Sequence, residues 1–150
     1  MTNESPYDLT LPGSQTILVV DDVGVVRKVA FRLLSESGYR VFEASSAAEA
    51  LEVLSTARQP VDLLIVDVVL PEVNGVDLVR LVVERWPETQ VIFMSAFPAE
   101  VLVREGLDQL DVQFLAKPFT RDELLIKVTS TLRTHRRPTG EPRRTGPSSS

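Results

Sequence analysis

Cysteine is absent from the 150 residues, which excludes disulfides, thiolate metal sites and cysteine nucleophiles. Histidine occurs once, as His135 near the C-terminus, so histidine-rich metal sites and a serine–histidine triad within the folded part are excluded as well. No apolar run approaches the ~20 residues that span a bilayer. The opening MTNESPYDLTLPGSQ has no basic segment followed by an apolar one. A soluble, cytoplasmic protein with no membrane partner is expected. Basic residues are in deficit: the net charge is −5. Five arginines against one glutamate give residues 133–150 a charge of +4, leaving −9 on the remainder. A body so charged makes a poor nucleic-acid surface, and none is expected. With thiols and imidazoles gone, carboxylates, hydroxyls and lysine must carry any chemistry.

What is present suits one globular domain, with 43% hydrophobic and 25% charged residues. The stretch VDLLIVDVVLPEVNG, Val61 to Gly75, organises it. Leu63 to Val66 form a β-favouring run, expected to be a strand buried on both faces, and Asp67 closes it. An ionised carboxylate there must be solvated, paired or metal-bound, because burying it alone is costly. Pro71, Asn74 and Gly75 turn the chain into an amphipathic helix, Gly75 to Trp86.

The remaining elements fall on either side of this stretch. Thr16 to Val20 is the first strand and ends in Asp21 and Asp22. Val25, Val26, Val29, Ala30, Leu33 and Leu34 recur at helical spacing as a buried stripe, with Arg27, Lys28, Arg32 and Glu36 on the opposite face; Gly38 stops this helix. Tyr39 to Ala44 alternates as a second strand, and Ser46 and Glu49 have the spacing of a capping box for a helix to Ala57. Gln90 to Met94 is the fourth strand, followed by Ser95. Pro98 and Gly106 bound a short fourth helix. Gln113 to Ala116 is the fifth strand, closed by Lys117 and Pro118. Thr120 and Glu123 make a second capping box before a last helix that turns Leu124, Leu125, Val128 and Leu132 inward. Residues 1–14 are expected to be a flexible arm, 15–134 the domain, and 135–150 a disordered, basic, proline-rich tail.

Strands alternating with helices across short loops predict an α/β fold: a flavodoxin-like, doubly wound, five-stranded parallel sheet in the order 2-1-3-4-5 with five helices. The switch point of that order lies between the first and third strands, which end in Asp21, Asp22 and Asp67. Ser95 and Lys117 end the fourth and fifth. Taken singly, Asp22 reads as a helix cap, Ser95 as a turn serine and Lys117 as a loop lysine. Their coincidence at four strand ends outweighs those readings. Three converging carboxylates call for a cation or for proton uptake, and all-oxygen donors point to magnesium. A lysine opposite them makes phosphate the natural ligand, with Asp67 as the nucleophile that forms an acyl phosphate.

The stretches ILVVDD, DLLIVDVVLPEVNG, VIFMSA and FLAKPF resemble the motifs of response regulator receiver domains. The wording of the fourth and fifth strands is similar to receivers attached to hybrid histidine kinases. The resemblance implies that Asp67 is the phosphoacceptor, that Asp21 and Asp22 serve magnesium with the backbone carbonyl of Val69, that Ser95 is the switch hydroxyl and Lys117 the phosphate-binding lysine, and that Phe114 is the switch aromatic. It implies a histidine kinase or histidine phosphotransfer protein as phosphoryl donor. It also implies a downstream partner on the face of the fourth helix, fifth strand and last helix, and leaves a homodimer open. No enzymatic activity is expected beyond self-phosphorylation and dephosphorylation, and no output domain after residue 134. Val23 and Gly24 depart from the pattern, where an acid and a proline are common, which lowers the expected metal affinity. Two other classes fit this sequence less well. A haloacid-dehalogenase-type hydrolase wants Asp-x-Asp where Asp21-Asp22-Val23 stands, and a flavodoxin-like cofactor binder wants a hydroxyl- and glycine-rich loop where DDVGVV stands.

Overall fold

The computed structural model describes residues 15–70, 72–97, 100, 104, 106 and 111–135. The strands are β1 (Thr16–Val20), β2 (Arg40–Ala44), β3 (Leu63–Asp67), β4 (Gln90–Ser95) and β5 (Gln113–Ala116). The helices are α1 (Gly24–Glu36), α2 (Ala47–Thr56), α3 (Gly75–Arg85) and α4 (Arg121–His135). Most of the expected helix from Pro98 to Gly106, the arm over 1–14 and the tail beyond His135 lie outside the described residues. All strand pairs are parallel, and the order is β2-β1-β3-β4-β5 as expected.

Side chains alternate across a strand, so each central strand feeds two cores. Leu18, Val20, Leu64, Val66, Val91 and Phe93 pack under α2 and α3, which contribute Ala47, Ala50, Leu54, Val76, Val79 and Val82. Ile17, Val19, Leu63, Ile65, Ile92 and Met94 pack on the opposite face against Ala30 and Leu34 of α1 and Leu124, Val128 and Leu132 of α4. Burial on both faces is why β1 and β3 read as unbroken apolar runs rather than alternating ones.

The helix caps follow the sequence with one rewiring. Thr120 and Glu123 form both bonds of their capping box, at 2.9 and 3.1 Å. At α2 the Ser46 hydroxyl accepts the Glu49 N–H, but the Glu49 carboxylate turns to the backbone N–H and hydroxyl of Ser45 instead. Asp22 does not cap α1: Val23 is the N-cap residue and supplies no side-chain bond. The last helix runs through His135, one residue into the expected tail.

The stripe expected on α1 is only half right. Ala30 and Leu34 are buried, whereas Val25 and Val29 are 76% and 48% exposed. They line an open apolar depression of about 450 Å³ shared with Ala96, Pro118 and Phe119. The core takes a narrower stripe than the apolar residues offer, because α1 meets the sheet beside α4, whose Leu124, Val128 and Leu132 already cover the rest of that face.

The β3–α3 loop returns so closely that the Gly75 N–H donates to the Val68 carbonyl at 2.9 Å. A Cβ at Gly75 would overlap the Asp67 carbonyl oxygen and crowd the Val68 backbone. Glycine is required here by proximity, not by its own φ. Gly75→Ala is therefore expected to displace the end of β3 and to lower stability by about 1–3 kcal/mol, as overpacking does. Urea unfolding of the two proteins measures it, and a stability equal to wild type would contradict the close approach.

Candidate functional site

Each strand-end side chain is fixed by the backbone immediately after it. Asp21 Oδ1 accepts the Val23 N–H at 2.9 Å, Asp67 Oδ1 accepts the Val69 N–H at 2.9 Å, and Ser95 Oγ accepts the Phe97 N–H at 3.0 Å. These are short turns closed by a side chain on the amide two residues later, a habit of aspartate and serine where a chain leaves regular structure. They leave one oxygen of each carboxylate, and the hydroxyl proton of Ser95, to face the site.

The free oxygens meet a cation. Lys117 Nζ donates to Asp67 Oδ2 at 2.6 Å and to Asp21 Oδ2 at 3.1 Å, joining residues from the ends of β1, β3 and β5. Asp21 is fully buried and Asp67 nearly so, while the Lys117 side chain is 21% exposed. Burial pushes the Asp21 carboxyl above its ordinary range, helped by the charge of Asp67 and opposed by the Val23 N–H and Lys117. Burial pulls the Lys117 ammonium down, but its bonds to Asp67 and Asp21 outweigh that and hold it above the ordinary lysine value. Both shifts are upward, so they act oppositely on charge: burial disfavours the ionised Asp21, whereas two carboxylate partners favour the charged Lys117.

Of the residues singled out in the sequence, Asp21, Asp67 and Lys117 are in direct contact. Ser95 lies beside them through register, since β4 pairs with both β3 and β5 and places Met94 opposite Asp67 and Ser95 opposite Ala116. Asp22 is exposed at the rim. Phe114 is half-buried on β5 and stacks on Phe93, with ring centroids 5.7 Å apart. Among the described residues no three Asp, Glu, His or Cys side chains form a ready-made metal cage. The convergence read from the sequence is thus a lysine-bridged pair with a third acid outside it. The sequence reading missed Arg27, assigned to the solvent face of α1. Its guanidinium turns back and donates to the Asp21 carbonyl at 2.8 Å.

Removing the bridge leaves two buried acids without their counter-charge. Lys117→Met is expected to cost about 3 kcal/mol, the low end for breaking a buried pair because the lysine keeps some exposure. The loss has a defined pH sense. With Lys117 gone, the ionised form of Asp21 is further disfavoured in the folded protein, which then binds a proton more readily than the unfolded chain. The deficit is full at neutral pH and shrinks as pH falls through the carboxylate range. Urea unfolding at pH 7 and pH 4 checks this, and a deficit that grows on acidification would contradict it.

A family model of the response regulator receiver domain matches residues 17–129. The sensor kinase CckA of Brucella abortus (strain 2308) is 36% identical over 122 residues, covering 81% of this chain and 13% of the kinase. The response regulator receiver protein CpdR of the same organism is 30% identical over 116 residues, covering 77% of this chain and 95% of CpdR. Among solved structures, the chemotaxis response regulator CheY4 of Vibrio cholerae superposes with a TM-score of 0.71 at 27% identity, over 78% of this chain and 98% of that one. This chain therefore spans a small part of one relative and nearly all of two others. Among the described residues no helix is long and apolar enough to cross a membrane. With the match covering most of the chain and the sheet order agreeing, the chain belongs to the response regulator receiver domain family.

Proposed function

We propose that this chain is a phosphoacceptor of a two-component or phosphorelay system, taking a phosphoryl group on Asp67 from a phosphohistidine of a histidine kinase or histidine phosphotransfer protein. The P–N bond of the donor breaks as the Asp67 carboxylate oxygen forms a P–O bond, and the donor imidazole keeps the electron pair. The observation that carries this reading is the 2.6 Å contact between Lys117 Nζ and Asp67 Oδ2 at the carboxyl edge of a parallel sheet. It supplies a nucleophilic oxygen with a cation that can follow the charge onto a phosphoryl oxygen.

The donor set suits magnesium, which takes one or two carboxylates and completes its shell with water and other oxygens. Asp21 and Asp67 already share one positive charge in this structure. Asp21, Asp22, Asp67 and the backbone carbonyl of Val69 are the groups that would hold it. When bound, it neutralises the acids and the phosphoryl oxygens. Ser95 accepts from Phe97 and so retains its own proton to donate to a phosphoryl oxygen. Drawing Ser95 and Lys117 inward is the differential contact that would shift the face carrying β5, α4 and Phe114 towards a downstream partner. Unstacking Phe114 from Phe93 costs about 0.5–1.5 kcal/mol, small enough for such a shift.

Acetyl phosphate with magnesium, read by intact mass, tests the reading. Wild type is expected to gain ~80 Da. Asp67→Asn should gain nothing while melting close to wild type, since Lys117 keeps Asp21 as a partner. Labelling of Asp67→Asn to the same extent, or turnover with no adduct on wild type, would contradict it.

The mouth of the site also bears on phosphoryl lifetime. Val69 and Phe97 are exposed apolar side chains flanking Asp67 and Ser95, whose turns their own N–H groups close. Neither side chain can hold the attacking water in line. Hydrolysis is therefore expected to be about tenfold slower than with polar residues there, equivalent to ~1.4 kcal/mol of lost positioning. Timing phosphoryl loss in wild type and in a Val69→Asn, Phe97→Glu double variant under excess magnesium checks it; equal or slower loss in the variant would rule it out.

A further inference from the structure

The connection from β1 to α1 carries two of the three acids, yet it is poorly anchored by its own sequence. Its N-cap residue Val23 makes no side-chain bond, and the first turn of α1 contains no acid. Arg27 supplies the missing anchor from the second turn. Its Nη1 donates to the Asp21 carbonyl oxygen at 2.8 Å and its Nε to Glu43 Oε1 at 3.0 Å. Lys28 Nζ holds the other oxygen of Glu43 at 3.0 Å. Both members of the Arg27–Glu43 pair are mostly buried, unlike a solvated surface ion pair. Burial raises the Glu43 carboxyl, but the bonds from Lys28 and Arg27 outweigh it and leave it below its ordinary range.

The Asp21 carbonyl and the Asp22 N–H belong to one planar peptide unit, so holding that carbonyl fixes the plane and the point from which the Asp22 side chain departs. The Asp21 N–H is held as well, donating to the Ala44 carbonyl at 3.1 Å beside Glu43 at the end of β2. Asp21 is thus located by its main chain and by both carboxylate oxygens. Among the described residues nothing bonds the Asp22 side chain, so its aim follows the plane. We infer that Arg27 is a positioning residue for the cation site, setting the 21–22 peptide so that the Asp22 carboxylate is aimed at the cation, with Glu43 orienting the guanidinium and offsetting its charge. The inference rests on the magnesium site proposed above and adds to it a residue that never touches the ion. A planar fork that bonds a carbonyl and a carboxylate at once is a task that lysine, a point donor, cannot reproduce.

The two simpler roles for Arg27 give different outcomes. A purely structural tie between α1 and β2 changes stability but not metal affinity in the folded protein. A purely electrostatic role repels the cation, so its removal tightens binding. Magnesium titration of the unphosphorylated full chain by calorimetry separates them, with far-UV circular dichroism confirming that each variant is folded at the working temperature. Arg27→Gln and Arg27→Lys are expected to weaken magnesium binding, the former about tenfold, and Glu43→Gln to weaken it less. In an Asp22→Asn background, which is itself weakened, adding Arg27→Gln should change nothing further, because the group it aims is no longer a charged ligand. Unchanged or tighter binding in Arg27→Gln and Arg27→Lys, beside a wild type that binds, would overturn the role of Arg27 and leave the cation site standing. So would an equal penalty in the Asp22→Asn background. A folded wild type that takes no magnesium would overturn the cation site itself, and this role with it.

Discussion

Two carboxylates buried side by side are the constraint on which this edge of the molecule turns, and Lys117 is what makes them tolerable. The lysine lies 96 residues from Asp21 and 50 from Asp67 in sequence, so the bridge exists only once β1, β3 and β5 are in register. Leaving either acid without a partner would cost more than a typical core substitution. Folding and site assembly are therefore one event here: the sheet order that brings the acids together also delivers their counter-charge. Each acid is fixed at its other oxygen by the amide two residues on, so the bridge closes onto oriented groups and loses little side-chain freedom in doing so.

The same turn recurs at Ser95, and its repetition explains how three different strands can end in side chains pointing the same way. A strand-end Asp or Ser that accepts the N–H of residue i+2 is held upright over the carboxyl edge whatever the nature of residue i+2. Val23, Val69 and Phe97 occupy that position and contribute only an amide. The geometry of the site is thus insulated from the identity of its rim. The rim remains open to apolar residues that no core requires, which is where Val69 and Phe97 stand exposed.

Much of this was legible in the sequence, and the parts that were not share a cause. Continuous apolar runs ending in Asp21, Asp67 and Ser95 declared central parallel strands, because only strands covered on both faces can be apolar at every position. Short alternating connections implied a parallel sheet, the expected order is the observed one, and the meeting of Asp21, Asp67 and Lys117 follows from that order. Periodicity failed on α1, since it reports how many apolar residues a helix offers and not how many its neighbours leave room for. Val25 and Val29 fit the helical period and still face outward. It failed on Arg27 for a related reason: a long side chain in the second turn of a helix can fold back over the preceding strand end, and its position on the wheel does not say so. The pairing of Glu49 with Ser45 rather than Ser46 is a smaller case, in which a hydroxyl and an amide one residue away offered a carboxylate two bonds instead of one. Asp22 follows the first strand as its sequence position dictates, but its place outside the lysine-bridged pair depends on loop geometry that spacing does not carry.

The bridge also sets terms for any chemistry at Asp67. A carboxylate oxygen 2.6 Å from an ammonium is stabilised where it stands and is a weaker nucleophile for it, so phosphoryl transfer on the proposed reading has to exchange one charge-assisted contact for another. The exchange is nearly balanced for Lys117, which can pass from the Asp67 oxygen to a phosphoryl oxygen without losing a partner. It is not balanced for the site. A phosphoryl group brings more negative charge than the single carboxylate it esterifies, and Asp21, held by its main chain and by Val23, cannot withdraw. On the proposed reading, one lysine that sufficed for two carboxylates then falls short, and the proposed magnesium would meet the shortfall at the side of the site that Lys117 does not occupy. Asp22 stands exposed at the rim, outside the lysine's reach, and its charge is the one the unphosphorylated arrangement leaves uncommitted to the bridge. On the proposed reading, the acid that the lysine bridge leaves out is the one whose aim matters most once the charge rises.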